Sequence, residues 1–144
     1  MILYLDTSSL VKLYLDETHA DSVRRWALGA EVLATSRVAY PEAVAALARR
    51  HREGDLAPND FQRVLLAFKQ QWRDFAVLDL AETQAGDLAV RHALRGFDAI
   101  HLSAALDLRQ VSPDIPIAFS SFDVRLNEAA AAEGLPVLDA NFLK

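Results

Sequence analysis

Short apolar runs alternate with longer amphipathic segments along the chain. The apolar runs predict buried strands, at 2–5, 31–35, 75–78, 117–119 and 136–138. The segments between them have helical periodicity, at 8–15, 20–28, 37–53, 58–73, 81–94, 99–108 and 124–133. Strands that alternate with helices favour a mostly parallel sheet with helices on both faces. We therefore expect an α/β fold, in which residues 1–144 form a single three-layer domain with about five strands.

The composition excludes several classes of protein. With 52% hydrophobic residues along the whole chain, intrinsic disorder is excluded. The chain has no cysteine, which excludes a disulfide scaffold, a thiolate zinc site and a cysteine nucleophile. No apolar run reaches the roughly 18 residues that a membrane span requires. The first residues carry no basic segment and meet a carboxylate at Asp6, so we expect no signal peptide, no membrane association and a cytoplasmic location.

Carboxylates occupy the positions where a sheet of this kind binds ligands, beyond the carboxyl ends of its strands. Asp6 ends the first predicted strand, and Asp123 follows the fourth. Asp98 opens a helix after Arg95-Gly96-Phe97, and Glu42 lies in the first turns of the helix after the second strand. Asp98 or Asp123 alone is better explained as a helix cap, because Asp is preferred there.

The four carboxylates together indicate more than capping. In the usual doubly wound strand order, Asp6 and Asp123 lie at the same edge of the sheet, near the point where the strand order reverses. Carboxylates that converge repel one another, which raises their pKa values. A hard divalent cation such as Mg²⁺ relieves that repulsion, and it can activate water against a phosphodiester.

Four sequence blocks resemble the PIN-domain ribonucleases, and among them the VapC-type toxins of toxin–antitoxin pairs. The blocks are Leu-Asp-Thr-Ser-Ser-Leu-Val-Lys-Leu-Tyr, Tyr-Pro-Glu-Ala-Val-Ala-Ala-Leu, Arg-Gly-Phe-Asp-Ala-Ile-His-Leu-Ser-Ala-Ala and Ser-Ser-Phe-Asp. They lie in the family's order and cover essentially the whole chain. The family often has Thr two residues before its last Asp, where this chain has Ser121.

The resemblance implies a metal-dependent endoribonuclease whose catalytic set is Asp6, Glu42, Asp98 and Asp123. Asp6 and Asp98 would hold Mg²⁺ or Mn²⁺, and Asp123 would complete the site or bind a second ion. Glu42 would orient or deprotonate the attacking water. Ser8 and Ser121 are expected to hold carboxylates by hydrogen bonds.

The resemblance also implies the partners, namely an RNA substrate and a cognate antitoxin, in a homodimer or a toxin–antitoxin hetero-oligomer. Arg91 and Arg95 are expected near the RNA. Lys12 fits a phosphate contact and a solvated helix lysine equally well. His101 lies one turn after Asp98, and a structural, hydrogen-bonded histidine is favoured over a metal-supporting one. Gly96 is expected in the left-handed conformation that ends a helix.

Other functions fit the sequence less well. A phosphoacceptor module needs an acidic pair after the first strand, where this chain has Thr7 and Ser8 after Asp6. A phosphatase with an aspartate nucleophile needs a second Asp at the position of Ser8. A P-loop is excluded because no Gly-rich Gly-Lys-Ser/Thr run is present. A non-catalytic PIN-like module that binds RNA or protein stays open as the alternative.

The net charge of −5 argues at first against an RNA partner, because such binding draws on surplus Lys and Arg. Without the four proposed site carboxylates, 20 − 4 = 16 acidic residues face 15 basic ones, a balance of −1. We therefore interpret most of the excess as a local acidic site.

Overall fold

The computed structural model describes residues 1–139, and its centre is a five-stranded parallel sheet in the order β3-β2-β1-β4-β5. The strands are β1 (Ile2–Leu5), β2 (Val32–Ser36), β3 (Ala76–Leu78), β4 (Ile117–Ser120) and β5 (Val137–Leu138). Each agrees with a predicted strand to within one residue at either end. The chain winds outward from β1 in one direction and then restarts at β4, so the strand order reverses between β1 and β4.

Seven α-helices cover the sheet within the described residues. They are α1 (Thr7–Leu10), α2 (Ala20–Leu28), α3 (Ala39–Arg52), α4 (Pro58–Trp72), α5 (Glu82–His92), α6 (Gly96–Val111) and α7 (Val124–Ala132). Helices α1 to α4 pack on one face of the sheet, and α5 to α7 pack on the other. The predicted three-layer fold with about five strands is confirmed; a single domain over 1–144 stays a prediction, since residues 140–144 lie outside the described part.

Strand β1 shows why the core has two halves. Its residues alternate between the faces, with Ile2 and Tyr4 in one apolar cluster and Leu3 and Leu5 in the other. All four are buried, as expected for a central strand of a sheet covered on both sides. None of the helices in residues 1–139 is long and apolar enough to cross a bilayer.

Two predicted helix ends were wrong. Gly96 does not have a positive φ; it is the first residue of α6, which therefore begins three residues before the predicted start. The left-handed residue that ends α5 is Ala93, with φ of 54°. The Leu94 N–H donates to the Ala89 carbonyl across this turn at 3.1 Å, which satisfies a carbonyl at the helix end.

The first helix is shorter than the predicted segment 8–15. Helix α1 ends at Leu10 and is followed by a 3₁₀ turn, Val11–Leu13. Asp6 fixes the start of α1, because its side chain caps the helix through the Ser9 N–H. Pro41 is the third residue of α3, where its missing N–H removes no helical hydrogen bond, and so Glu42 lies in the first turn.

Candidate active site

Asp6 is a buried carboxylate at the centre of the strand ends. It follows β1 at the point where the strand order reverses, and only 4% of its surface is exposed. The Ser8 hydroxyl and the Ser9 N–H donate to Oδ1 at 2.7 and 2.9 Å, and the Ser121 hydroxyl donates to Oδ2 at 2.6 Å. Burial raises the pKa of Asp6, while the charge of His101 and these hydrogen bonds act in the opposite direction.

The guanidinium group of Arg95 binds both Asp98 and Asp123. Arg95 donates from Nε to Asp98 Oδ2 at 3.4 Å and from Nη2 to Asp123 Oδ2 at 3.3 Å. Burial and the charge of Asp123 raise the pKa of Asp98, although the charge and hydrogen bond of Arg95 act to lower it. Asp123 also caps α7 through the Leu126 N–H, whereas Asp98 lies inside the first turn of α6 and caps no helix.

Glu42 lies on α3 and is held at one oxygen. Thr7, the residue after Asp6, donates from Oγ1 to Glu42 Oε1 at 2.7 Å. His101 Nε2 lies 3.1 Å from the same oxygen. Burial acts to raise the pKa of Glu42, but the hydrogen bonds from His101 and Thr7 and the charge of His101 outweigh it, so the pKa is lowered. Glu42 is therefore a carboxylate with a fixed orientation.

His101 lies among three of the four acidic residues. Its charge acts to lower the pKa of Asp6, of Glu42 and of Asp98. The ring is 2% exposed and makes hydrogen bonds through both nitrogens, to Tyr4 and to Glu42 with Thr7. It is thus the hydrogen-bonded histidine that the sequence favoured, and it also connects the acidic residues to the interior of the fold.

The chemistry of the donor set fits a hard divalent cation. Asp6, Asp98 and Asp123 offer carboxylate oxygens, and Mg²⁺ needs only one or two of these because it keeps several waters. Burial raises the pKa of Asp6 and, together with the charge of Asp123, that of Asp98, so a bound cation would favour the ionised form of both. Within residues 1–139, no group of three or more acidic or histidine side chains has the spacing of a metal cage; Arg95 lies between Asp98 and Asp123 instead.

Two cations that the sequence placed near RNA have other partners. Lys12 is neither solvated nor directed at the acidic site: it pairs with Glu17 at 2.9 Å and lies 4.6 Å above the Phe122 ring. Arg91 pairs with Glu133 at 3.0 Å. Of the cations assigned to RNA contact, Arg95 is the one that the structure places on the site carboxylates.

Sequence reasoning placed the acidic residues but missed Tyr4 and Thr7. Tyr4 looks like an ordinary strand residue, because it lies in an apolar run and is fully buried. Thr7 was noted only as a residue that a phosphoacceptor module would not have. The only sequence signal for Tyr4 is a hydroxyl group inside an apolar strand, since a buried hydroxyl needs a partner, but which partner it has depends on the fold.

Comparison with known proteins identifies the family of this chain. A family model described as the PIN domain matches residues 3–132. The chain belongs to the PIN-domain family. Ribonuclease VapC45 of Mycobacterium tuberculosis (strain CDC 1551 / Oshkosh) is 36% identical to this PIN-domain chain over an alignment of 146 positions, gaps included, which covers 96% of each protein.

Solved structures share the fold of this PIN-domain chain. PAE2754 from Pyrobaculum aerophilum matches with a TM-score of 0.65 at 21% identity, over 95% of this chain and 83% of that one. FitAcB from Neisseria gonorrhoeae matches with a TM-score of 0.62 at 18% identity, over 99% of this chain and 100% of that one. The predicted family and its three-layer fold are therefore confirmed.

Proposed function

We propose that this PIN-domain protein is a divalent-cation-dependent endoribonuclease that hydrolyses RNA phosphodiester bonds, as the toxin of a toxin–antitoxin pair. The supporting observation is a set of hydrogen bonds that links its acidic side chains near the strand ends where the strand order reverses. Asp98 and Asp123 share Arg95, Ser121 joins the Asp123 loop to Asp6, and Thr7 joins Glu42 to the residue after Asp6. The relative named Ribonuclease VapC45 supports the same activity.

In this proposal Asp6, Asp98 and Asp123 hold the cation, Mg²⁺ or Mn²⁺. When bound, the cation supplies positive charge to the scissile phosphate and lowers the pKa of a bound water. The Ser8 and Ser121 hydroxyl groups favour the ionised form of Asp6 and orient it, since each donates to one of its oxygens.

Glu42 accepts a hydrogen bond from the attacking water and orients it. Its lowered pKa makes it a weak base, so alignment of the water is its main contribution. Alignment lowers the barrier because it fixes the attacking oxygen before the reaction starts. Arg95 binds two site carboxylates with a side chain that is 83% exposed, so it can also pair with a phosphate bound beside them.

The test is cleavage of a structured RNA by purified protein with Mg²⁺ or Mn²⁺. We expect cleavage that stops with EDTA and with Asp98→Asn, and that continues in Asp21→Asn, a matched control at a carboxylate that is 96% exposed. Full activity of both Asp6→Asn and Asp98→Asn would contradict the residue assignment.

Calorimetric titration with Mn²⁺ separates this function from the alternative of a non-catalytic PIN-like module. The nuclease should bind Mn²⁺, and Asp6→Asn and Asp98→Asn should weaken that binding. A folded protein that binds no Mg²⁺ or Mn²⁺ at millimolar concentration, yet binds RNA or protein, would be the non-catalytic module.

The toxin role predicts a partner and a phenotype. Expression of the protein in the cytoplasm, where the RNA is, should arrest cell growth, and Asp98→Asn should abolish the arrest. A short reading frame for a small DNA-binding protein beside this gene should encode the antitoxin, and its co-expression should restore growth. Size-exclusion chromatography of the pair would then distinguish a homodimer from a toxin–antitoxin hetero-oligomer.

A further inference from the structure

A continuous line of polar contacts runs from inside the sheet to Glu42. The Tyr4 hydroxyl lies 2.8 Å from His101 Nδ1, and His101 Nε2 lies 3.1 Å from Glu42 Oε1. Tyr4 and His101 are 0% and 2% exposed, whereas the Glu42 side chain is 28% exposed. The line therefore starts in the core, between β1 and α6, and ends at the surface of the acidic site.

The contacts determine where the protons lie. The Tyr4 hydroxyl is fully buried and lies 2.8 Å from His101 Nδ1, and a tyrosine hydroxyl carries one proton to donate. When the His101 ring is neutral, that proton can be donated to Nδ1, which leaves the ring proton on Nε2. The opposite tautomer would place an unprotonated Nε2 against a carboxylate oxygen, since the Thr7 proton is already donated to that oxygen.

The arrangement leaves one oxygen of Glu42 for a ligand. Within residues 1–139, the hydrogen bonds to this carboxylate from Thr7 and His101 both fall on Oε1. Two donors on one oxygen fix the plane of the carboxylate, so Oε2 has a defined direction. A carboxylate that is fixed at one oxygen and available at the other suits the orientation of a water.

We propose that Tyr4 and His101 are positioning residues that hold Glu42 for the attacking water, through a directed chain from the Tyr4 O–H to His101 Nδ1 and from His101 Nε2–H to Glu42 Oε1. The inference rests on the nuclease function proposed above. Neither residue touches the RNA: Tyr4 sets the tautomer and ring orientation of His101, and His101 sets the orientation of Glu42. Such supporting contacts change activity by about 10-fold to 100-fold when they are removed.

Two substitutions of His101 separate positioning from packing. His101→Gln can place an amide N–H near the position of Nε2, so most of the activity should remain. His101→Asn is shorter and cannot reach Glu42, so kcat should fall about 10-fold to 100-fold with little change in KM. Tyr4→Phe should lower kcat by about tenfold or less, because Glu42 and Thr7 still favour the Nε2–H tautomer.

The chain offers matched controls for both changes. His92 pairs with Glu133 at 2.9 Å, so His92→Gln removes another histidine–glutamate contact. The Tyr14 hydroxyl donates to Gln71 at 2.7 Å, so Tyr14→Phe removes another tyrosine hydrogen bond of similar length. Both controls should keep the wild-type kcat, because neither residue contacts Glu42.

A double substitution tests whether His101 acts through Glu42. If it does, His101→Asn should cause no further loss of kcat in a Glu42→Gln background. An equal loss of kcat in both backgrounds would show a merely structural role and overturn the proposal. Equal kcat values for His101→Gln and His101→Asn, with both proteins folded, would overturn it as well.

The tautomer of His101 can be measured without an activity assay. Two-dimensional ¹H–¹⁵N NMR of the histidine rings, in EDTA and without RNA, should show His101 in the Nε2–H form. Tyr4→Phe should weaken that preference. If His101 in the wild type is in the Nδ1–H form, the proposed chain from Tyr4 to Glu42 is overturned, even if the protein cleaves RNA. If His101 is in the Nε2–H form but the protein cleaves no RNA with any metal, the chain of contacts stands and the nuclease function is refuted instead.

Discussion

Removal of the Ser121 hydroxyl should destabilise the fold through Asp6. Ser121→Ala deletes the 2.6 Å hydrogen bond to Asp6 Oδ2, and both residues are buried, with 1% and 4% of their surface exposed. The same hydroxyl accepts a hydrogen bond from the Asp123 N–H at 3.0 Å. The substitution therefore leaves a buried carboxylate oxygen and a backbone donor without their partner.

The contacts of Asp6 determine the expected loss of stability in Ser121→Ala and allow a comparison with Ser8→Ala. A hydrogen bond to a charged group contributes about 1.5–3 kcal/mol, and we expect Ser121→Ala to lower the free energy of unfolding by that amount at pH 7.5. Ser8→Ala should lower it by less, because Ser8 is only partly buried and Oδ1 of Asp6 keeps the Ser9 N–H, although the Phe122 N–H also loses the Ser8 hydroxyl as its acceptor.

The assay is urea unfolding in EDTA, for both variants and the wild type. The Ser121 hydrogen bond favours the ionised form of Asp6, so its loss raises the pKa of Asp6 beyond what burial already does. The penalty should therefore be largest at neutral pH and fade once pH falls below the pKa of Asp6 in the native state. A Ser121→Ala penalty below about 0.5 kcal/mol, or one that is equal at neutral and acid pH, would refute the reasoning.

Three further predictions concern the rest of the fold. Phe68→Ala should lower the free energy of unfolding by about 3–5 kcal/mol in a urea titration, because this ring is fully buried among aromatic side chains. Ala93→Gly should raise it by about 0.5–1 kcal/mol, since Ala93 has a φ of 54°, and an unchanged or lower value would contradict this. In EDTA, stability should rise as pH falls below neutral, because burial raises the pKa of Asp6 and of Asp98 and so favours protonation of the native state. It should fall again below about pH 4.5, where the unfolded chain takes up protons at Glu17 and Glu42, whose pKa values are lowered in the native state. Urea midpoints across this range would check it, and a steady fall from pH 7 downward would contradict it.

The strands and the meeting of Asp6 with the Asp123 loop could be predicted because they depend on local pattern and a general rule. Each strand is a short apolar run, and parallel α/β sheets bind ligands where the strand order reverses. Asp6 N–H donates to the Ser120 carbonyl at 3.1 Å, which shows that the two strand ends adjoin. The roles of the acidic residues in metal binding and catalysis stay predictions.

The support around Glu42 could not be predicted, because it depends on contacts between distant parts of the chain. Tyr4 and His101 are 97 residues apart, and His101 and Glu42 are 59 apart. Periodicity places each residue on a helix or strand but gives no register between two helices on different layers. The predicted end of α5 was wrong for another reason. Ala93 adopts the left-handed conformation that sequence rules assign to glycine, and a hydrogen bond from the Leu94 N–H to the Ala89 carbonyl stabilises this turn.

The distribution of charge explains how an acidic protein can act on RNA. Outside the four proposed site carboxylates, the chain is nearly balanced, at −1. Several of its cations already pair with nearby acidic groups: Lys12 and Arg50 with Glu17, and Arg91 with Glu133. Long-range attraction to phosphates is therefore weak, and under the proposed function most of the affinity for RNA would come from Arg95 and the cation proposed at the site. A divalent cation held as proposed would offset two of the four carboxylate charges and Arg95 offsets a third, so the acidic cluster that seems to exclude RNA would repel it far less.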